Sequence, residues 1–267
     1  MISKDIRFED DFINKCLEEI KAQPSLLLEI DRFRIDYIKT RIKIQKDLHG
    51  GKLPVCVHEG GETDQMIENT IRHNLESMNP DIAPLRAIGL LGPLLGIDQV
   101  VYNRSTQRVL IIGPRTEAEI LWYISKGFDQ NNIIGLDLFS YSQYIQTGDM
   151  HSLPYPDSSF DIIVFSWVLG YSCNQKLAVS EAIRVVRSYG LIAIGEQWDP
   201  TPISETSAMM MKVRGYSLEG TETKQSSDLL DLFSGTNLEV LFRTEPLESQ
   251  KSRIGLISII TKIVKDQ

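Results

Sequence analysis

The chain has few of the features that would assign it to a specialised class of protein. Its three cysteines, Cys16, Cys56 and Cys173, lie far apart and form no CxxC pair. This spacing excludes a disulfide framework and indicates reduced thiols. Cys56 and His58 resemble half of a metal site, but no second half follows in the sequence, and we therefore expect no metal.

Long apolar runs are also missing. The longest weakly polar stretch, AIGLLGPLLGI (87–97), is too short to span a bilayer and is interrupted by glycines and a proline. We interpret it as a buried linker or as part of a pocket wall. The first residues, MISKDIRFEDDF, are charged and lack the apolar centre of a signal peptide. We therefore expect no membrane span and a cytoplasmic location.

An excess of basic residues is absent too. The formal net charge is −8, whereas a protein that binds nucleic acid usually presents a basic face. We therefore expect no nucleic-acid partner. With 42% hydrophobic and 24% charged residues, the composition is that of an ordinary globular protein, and 267 residues suit one large domain or one domain with an appendage.

Helical periodicity dominates residues 1–105. Apolar residues recur every four positions from Phe8 to Ile20, and similar apolar stripes follow at 26–38 and 66–78. Amphipathic helices of this length are not stable alone. They must pack on the second half of the chain, on each other or on a partner chain. This region is therefore predicted to be a helical cap on the substrate side or a surface for a homodimer.

Residues 106–267 alternate between strand-like and helix-like runs. The strand-like runs are 108–113, 132–137, 144–147, 161–166, 190–197, 238–245 and 254–263, and the helix-like runs are 117–127, 174–188 and 226–234. This alternation predicts a parallel sheet with helices on both faces. About eight residues separate the last two strands, which is too few for a helical crossover. The predicted fold is therefore a doubly wound, mostly parallel α/β sheet with an antiparallel hairpin at the C-terminus.

In such a sheet, ligands bind beyond the carboxyl ends of the strands, where the strand order reverses. The stretch RVLIIGPRTEAEI (108–120) belongs at this place: an apolar strand meets Gly113, and a helix follows. Thr116 and Glu119 have the spacing of a capping box at the start of that helix. The unpaired N–H groups of a helix start favour a carboxylate or phosphate. The turn is unusual because it contains a single glycine.

Acidic residues follow the next two strands. Asp137 ends the second strand and is well placed to accept hydrogen bonds from the hydroxyls of a ribose; the alternative is a carboxylate that caps a turn. Asp149 follows the third strand. Its carboxylate would accept a hydrogen bond from an adenine amino group, while the N–H of Met150 would donate to a ring nitrogen.

Two longer motifs carry a family resemblance. The stretch GDMHSLPYPDSSFDIIVFSWVL (148–169) and the stretch AIRVVRSYGLIAI (182–194) resemble class I S-adenosylmethionine-dependent methyltransferases of the type-11 methyltransferase-domain group. The resemblance covers residues 108–263. It implies a Rossmann-like fold, S-adenosyl-L-methionine as cofactor and methyl transfer as the reaction.

The resemblance also implies roles for individual residues. Gly113 would lie beside the methionine part of the cofactor, Asp137 would bind the ribose, and Asp149 with Met150 would bind the adenine. Ser166 and Trp167 would lie under the cofactor near the transferred methyl group. The full predicted cofactor-binding set is Gly113, Pro114, Arg115, Glu117, Asp137, Leu138, Asp149, Met150, His151, Ser166 and Trp167.

The chain departs from the family pattern in the first turn. The family usually has an acidic residue two positions before the first glycine and then Gly-x-Gly-x-Gly, but here Ile111, Arg115 and Glu117 occupy those positions. Arg115 would pair with the carboxylate of the cofactor, and Glu117 or Glu119 with its ammonium. The alternative is that Arg115 pairs with a neighbouring acidic side chain and that nothing binds.

These observations leave three hypotheses. The first is a methyltransferase for a small-molecule or carbohydrate acceptor, with residues 199–227 as a lid or substrate segment. The second is a degenerate methyltransferase fold that serves as a non-catalytic binding or scaffold module. The third is a nicotinamide dehydrogenase, which is disfavoured because the chain lacks the G-x-G-x-x-G turn. The sequence assigns no catalytic residue, although His151 and Tyr171 are candidates for a base.

Overall fold

The computed structural model describes residues 83–114, 117–140, 142, 144–198, 223–246 and 255–265, and isolated positions within 43–53 and 202–209. The three predicted amphipathic stripes at 8–20, 26–38 and 66–78 lie outside the described residues. So do Cys56, His58, Arg115 and Thr116.

The described helices are α1 (Ala83–Leu94), α2 (Asp98–Asn103), α3 (Glu117–Ser125), α4 (Gln175–Val185) and α5 (Ser226–Leu230), with short 3-10 helices at Leu169–Tyr171 and Asp231–Phe233. The described strands are β1 (Val109–Ile112), β2 (Ile133–Asp137), β3 (Ile145–Thr147), β4 (Phe160–Ser166), β5 (Val186–Trp198), β6 (Leu238–Thr244) and β7 (Gly255–Ile263). All seven predicted strands are confirmed, with ends that differ by a few residues.

The strands form one seven-stranded sheet in the order β3-β2-β1-β4-β5-β7-β6. The first five strands are parallel, and β7 runs antiparallel to both β5 and β6. The predicted doubly wound fold with an antiparallel C-terminal hairpin is confirmed. The chain order reverses between β1 and β4, so this pair of strands marks the switch point at which such sheets bind ligands.

Helices cover both faces of the sheet. On one face α1 and α3 pack against apolar side chains of the central strands, and on the other face α4 and α5 do the same. Strand β4 is buried along its whole length. A strand that is covered on both faces has no solvent-facing side, which explains why its sequence is apolar at nearly every position.

The interpretation of residues 87–97 as a linker is wrong. Most of this stretch belongs to helix α1, which ends at Leu94. Leu90, Leu91 and Leu94 are buried against the sheet. Glycine lowers helix propensity by only about 1 kcal/mol, and burial of an apolar face exceeds that cost. No helix among the described residues is long and apolar enough to cross a bilayer.

The predicted helix at 174–188 ends earlier than expected. Helix α4 stops at Val185, and β5 begins at Val186. Between its pairings Phe160↔Val186 and Ile162↔Leu191 with β4, strand β5 contains an irregularity. This bulge accommodates the charged and polar residues 187–189. The sequence pattern had predicted that the helix would continue to residue 188.

Candidate functional site

Three of the predicted site residues lie in one row across the carboxyl edge of the sheet. Ile112 pairs with Leu136 on one side and with Phe165 on the other, so Gly113, Asp137 and Ser166 follow at the same level. The structure thus brings these residues together at the switch point.

Gly113 makes a close approach of two chain segments possible. Its φ is +67°, and its N–H donates a hydrogen bond to the carbonyl of Leu136 at 2.9 Å. A Cβ atom at this position would lie 2.6 Å from the Cβ and Cγ2 of Val168. The glycine therefore makes room for Val168 after β4. Pro114 is buried, Arg115 is outside the described residues, and Glu117 begins α3.

Asp137 lies half-buried at the end of β2. Its Oδ1 accepts a hydrogen bond of 2.7 Å from the N–H of Leu138. Its backbone carbonyl accepts a hydrogen bond of 2.9 Å from Gly148, the residue before Asp149. The two acidic residues that were predicted to bind adenosine are thereby held on neighbouring strand ends.

Asp149 belongs to a chain of three hydrogen-bonded side chains. Its Oδ1 accepts from the backbone N–H of His151 at 2.9 Å and lies 2.7 Å from Nδ1 of the same residue. The Nε2 of His151 lies 2.7 Å from the Oγ of Ser172, which is buried. A carboxylate only accepts hydrogen bonds, so Nδ1 carries the proton. His151 thus fixes the orientation of Asp149.

The loop that follows this chain is held by Arg184, which the sequence analysis missed. The guanidinium donates to the carbonyls of Leu153 and Tyr155 at 3.0 and 2.8 Å, and to Asp157 and Glu181 at 2.8 Å each. The hydrogen bond from Arg184 lowers the pKa of the Glu181 carboxyl. The ion pair between Arg184 and Asp157 holds the turn that leads into β4.

Glu119 and Ser166 form a buried contact across the switch point. Glu119 is 8% exposed and Ser166 is 3% exposed. The Ser166 hydroxyl donates a hydrogen bond to Oε2 of Glu119, which ties α3 to the end of β4. The capping-box pattern did not predict this contact, because the two residues are 47 positions apart.

The charge of Glu119 also acts on the next turn of α3. Burial, and to a lesser extent the negative charge of Glu119, raise the pKa of Tyr123 far above its ordinary value. Tyr123 is therefore neutral.

Trp167 has a positive φ of 55° and a buried indole ring. A Cβ atom on Gly195 would lie 2.9 to 3.0 Å from three carbons of this ring, and one on Gly89 would lie 3.1 Å from it. The indole therefore fills the space between α1 and β5. It joins the region before β1 to the carboxyl edge of the sheet.

At the end of β5, a second buried carboxylate lies close to the end of β4. Oε1 of Glu196 accepts a hydrogen bond of 3.2 Å from the N–H of Gly170. The next residue, Tyr171, is 40% exposed. The edge of the sheet beyond β4 and β5 therefore combines a fixed carboxylate with an exposed phenol.

Comparison with known proteins extends these observations. Residues 118–194, from α3 into β5, match the family model of a methyltransferase domain. None of the curated proteins matches the chain in sequence. The matched segment contains most of α3 and the carboxyl ends of β2, β3 and β4.

Several solved structures are similar in fold. The YcgJ protein from Bacillus subtilis is 15% identical, with 66% of this chain and 100% of that chain covered and a TM-score of 0.46. An S-adenosylmethionine-dependent methyltransferase from Methanosarcina mazei is 16% identical (64% and 99% covered, TM-score 0.44), and another from Mesorhizobium loti is 12% identical (60% and 92% covered, TM-score 0.48).

Proposed function

We propose that this chain is an S-adenosylmethionine-dependent methyltransferase that transfers a methyl group to a small-molecule or carbohydrate acceptor. The observation that carries the proposal is the row of Gly113, Asp137 and Ser166 at the switch point, with Asp149 beside it. Asp137, Asp149 and Ser166 lie inside the segment 118–194 that matches a methyltransferase domain, and Gly113 lies just before that segment. The net charge of −8 supports an acceptor other than nucleic acid.

The chemistry of the donor set fits the adenosine part of the cofactor. Ribose hydroxyls and an adenine amino group are hydrogen-bond donors, and the carboxylates of Asp137 and Asp149 are acceptors. Both carboxylates are partly exposed at the sheet edge. Each is oriented by a hydrogen bond from its own turn, from Leu138 and from His151 respectively. Preorientation of this kind lowers the entropic cost of binding.

S-Adenosylmethionine supplies a methyl group on a sulfonium, which is already activated for transfer. The chain must therefore orient the acceptor and exclude water. Both ring nitrogens of His151 contact side chains, Asp149 and Ser172, so we assign His151 to holding the adenine end. Tyr171, beyond β4, remains the candidate for contacting the acceptor or its proton.

We assign the acceptor side to the ends of β4 and β5. Trp198 ends β5, and residues 199–227 begin directly after it. Met209, which belongs to this segment, is exposed. The position of the segment supports a role as a lid or substrate segment, with residues 1–105 as a second cover. Methionines suit an adaptable apolar contact.

Calorimetric titration with S-adenosylhomocysteine tests the cofactor site. Asp137→Asn replaces a charged acceptor of ribose hydroxyls, and hydrogen bonds to charged groups contribute about 1.5–3 kcal/mol, so we expect affinity to fall roughly 10-fold or more. Asp98→Asn is the matched control. Asp98 is exposed in α2, and the whole of strand β1 separates it in the chain from the carboxyl edge of the sheet.

The same titration separates the alternatives. If millimolar S-adenosylhomocysteine gives no heat of binding, the methyltransferase hypothesis is refuted and a non-catalytic module is favoured. The observation that supports this alternative is the packing of Val168 on Gly113. Binding of NAD without binding of S-adenosylhomocysteine would favour a dehydrogenase. The acceptor class is tested with methyl-labelled cofactor: the label should enter small-molecule or carbohydrate fractions and not nucleic acid.

A further inference from the structure

We propose that Cys173 is a covalent modification site, at which His151 accepts the thiol proton while the sulfur forms a mixed disulfide with a low-molecular-weight disulfide. The inference goes beyond the proposed function and requires no cofactor, because it concerns the ring nitrogen of His151 that does not contact Asp149. It gives a chemical role to a residue whose sequence context indicates only a reduced thiol.

The site is assembled from two loops, one after β3 and one after β4. The first loop supplies Asp149 and His151, and the second supplies Cys173. The Sγ of Cys173 lies 3.9 Å from Nε2 of His151, and Nδ1 of the same ring lies 2.7 Å from Oδ1 of Asp149. A nucleophile, a base and a carboxylate that orients the base thus follow one another, which is the arrangement that activates nucleophilic side chains. Contacts between a base and its nucleophile are often this long before a reactant binds.

The thiol is accessible, whereas its base is shielded. Cys173 is exposed, and the side chain of His151 is 13% exposed. Asn174, the next residue, is the N-cap of α4, and its side chain accepts a hydrogen bond of 3.1 Å from the N–H of Leu177. The N–H of Asn174 donates to the hydroxyl of the buried Ser172 at 3.1 Å. Reactive cysteines are typically accessible and lie beside a histidine or a helix start. Cys173 meets both conditions, and the residues on either side of it are held by hydrogen bonds.

The reaction with a disulfide balances without a further reactant. Nδ1 of His151 carries the proton that Asp149 accepts, so Nε2 of the neutral ring has a lone pair. As the sulfur of Cys173 attacks one sulfur of the reagent, its S–H bond breaks and Nε2 takes the proton. A new S–S bond forms and the old one breaks, the leaving sulfur keeps the electron pair, and His151 returns the proton to it. Cys173 is oxidised, and half of the reagent is reduced to a thiol.

Ser172 competes with Cys173 for the same nitrogen. Its Oγ lies 2.7 Å from Nε2 of His151, and its hydroxyl donates because this nitrogen is an acceptor. Ser172 is only 1% exposed, so it is screened from a reagent in solution. Its removal should therefore release Nε2 for the thiol and speed the reaction, whereas a change at His151 should slow it.

The experiment measures the rate at which Cys173 reacts with dithiodipyridine, a neutral aromatic disulfide that releases a coloured product. Cys16→Ser and Cys56→Ser leave Cys173 as the single thiol of this background protein. A free thiol is ionised to only a few per cent near neutral pH, so a base accelerates its reaction by at most a few tens of fold, and we expect His151→Gln to slow it by roughly 10-fold. Ser172→Ala should speed it, and the double variant should be as slow as His151→Gln.

Lys176→Gln is the matched control. Lys176 is exposed in the first turn of α4, three residues after Cys173, and glutamine removes its charge. This variant should react at the rate of the background protein. Slowing equal to that of His151→Gln would show that nearby charge sets the rate, and it would overturn the inference.

The other outcomes are equally distinct. An unchanged or faster reaction of His151→Gln would overturn the inference, because it would show that the ring only packs near the thiol. Ser172→Ala tests the same base without altering His151, and a rate that stays the same or falls would also contradict the proposal. A urea unfolding midpoint for each variant confirms that the folded protein is being compared. Equal rates of all variants in concentrated urea would show that the differences belong to the folded site.

Discussion

Gly113 and Gly235 provide a matched pair for testing the packing at the switch point. Both have positive φ, +67° and +85°. A Cβ atom on Gly235 would meet no heavy atom within 4 Å, whereas one on Gly113 would lie 2.6 Å from two carbons of Val168 and 3.1 Å from a third. Replacement by alanine therefore carries the cost of a left-handed backbone at both positions, but it creates steric overlap only at position 113.

The expected free energies follow from these two contributions. A left-handed backbone costs a residue with a Cβ atom about 1–2 kcal/mol. Overpacking of a well-packed region costs about 1–3 kcal/mol, and carbon atoms normally approach to no less than about 3.5 Å. We therefore expect Gly235→Ala to lower the free energy of unfolding by about 1–2 kcal/mol and Gly113→Ala by about 2–5 kcal/mol.

Urea unfolding of both variants measures the difference, and changes at Val168 test its origin. Val168→Ala removes the two Cγ atoms and leaves the Cβ at 2.6 Å, so it should rescue Gly113→Ala only in part. Val168→Gly removes all three overlaps and should bring the cost of Gly113→Ala down to that of Gly235→Ala. If Gly113→Ala is no more destabilising than Gly235→Ala, Val168 does not pack on Gly113 and this description of the turn is wrong.

Two further predictions concern the edges of the site. Gly195→Ala should lower the free energy of unfolding by about 1–3 kcal/mol through overlap with the Trp167 indole. In urea unfolding, the double variant with Gly195→Ala and Trp167→Leu should lose less free energy of unfolding than the two single variants lose together. Because Arg184 lowers the pKa of Glu181 in the folded protein, the stabilisation by this pair is present above about pH 4.5 and is lost as the pH falls through the lower folded-state pKa. The free energy of unfolding, measured from pH 3 to 6, should therefore depend less on pH in the Arg184→Ala variant than in the unaltered protein. The same dependence on pH in both proteins would contradict the role of the ion pair.

The sheet was predictable because its signals are local. A strand buried on both faces must be apolar throughout, as β4 is, and a connection of about eight residues forces β6 and β7 to pair antiparallel. The acidic residues at the ends of two strands were visible in the same way, since Asp137 closes the apolar run of β2 and Asp149 follows the short strand β3 by one residue. The boundary between α4 and β5 was less clear, because residues 186–188 suit a helix by sequence, whereas in the structure Val186 pairs with Phe160 of β4 and the bulge of β5 follows it.

The contacts that shape the site were decided by the tertiary structure. Glu119 reaches Ser166 only because β4, fourth in the chain, lies beside β1 in the sheet, and Val168 meets Gly113 for the same reason. Such partners are separated by about fifty residues, and no periodicity or spacing connects them. The sequence by itself determined which segments become strands and where acidic groups follow them. The order of the strands decided which side chains meet at the edge, because only neighbouring strands bring distant residues within hydrogen-bond distance.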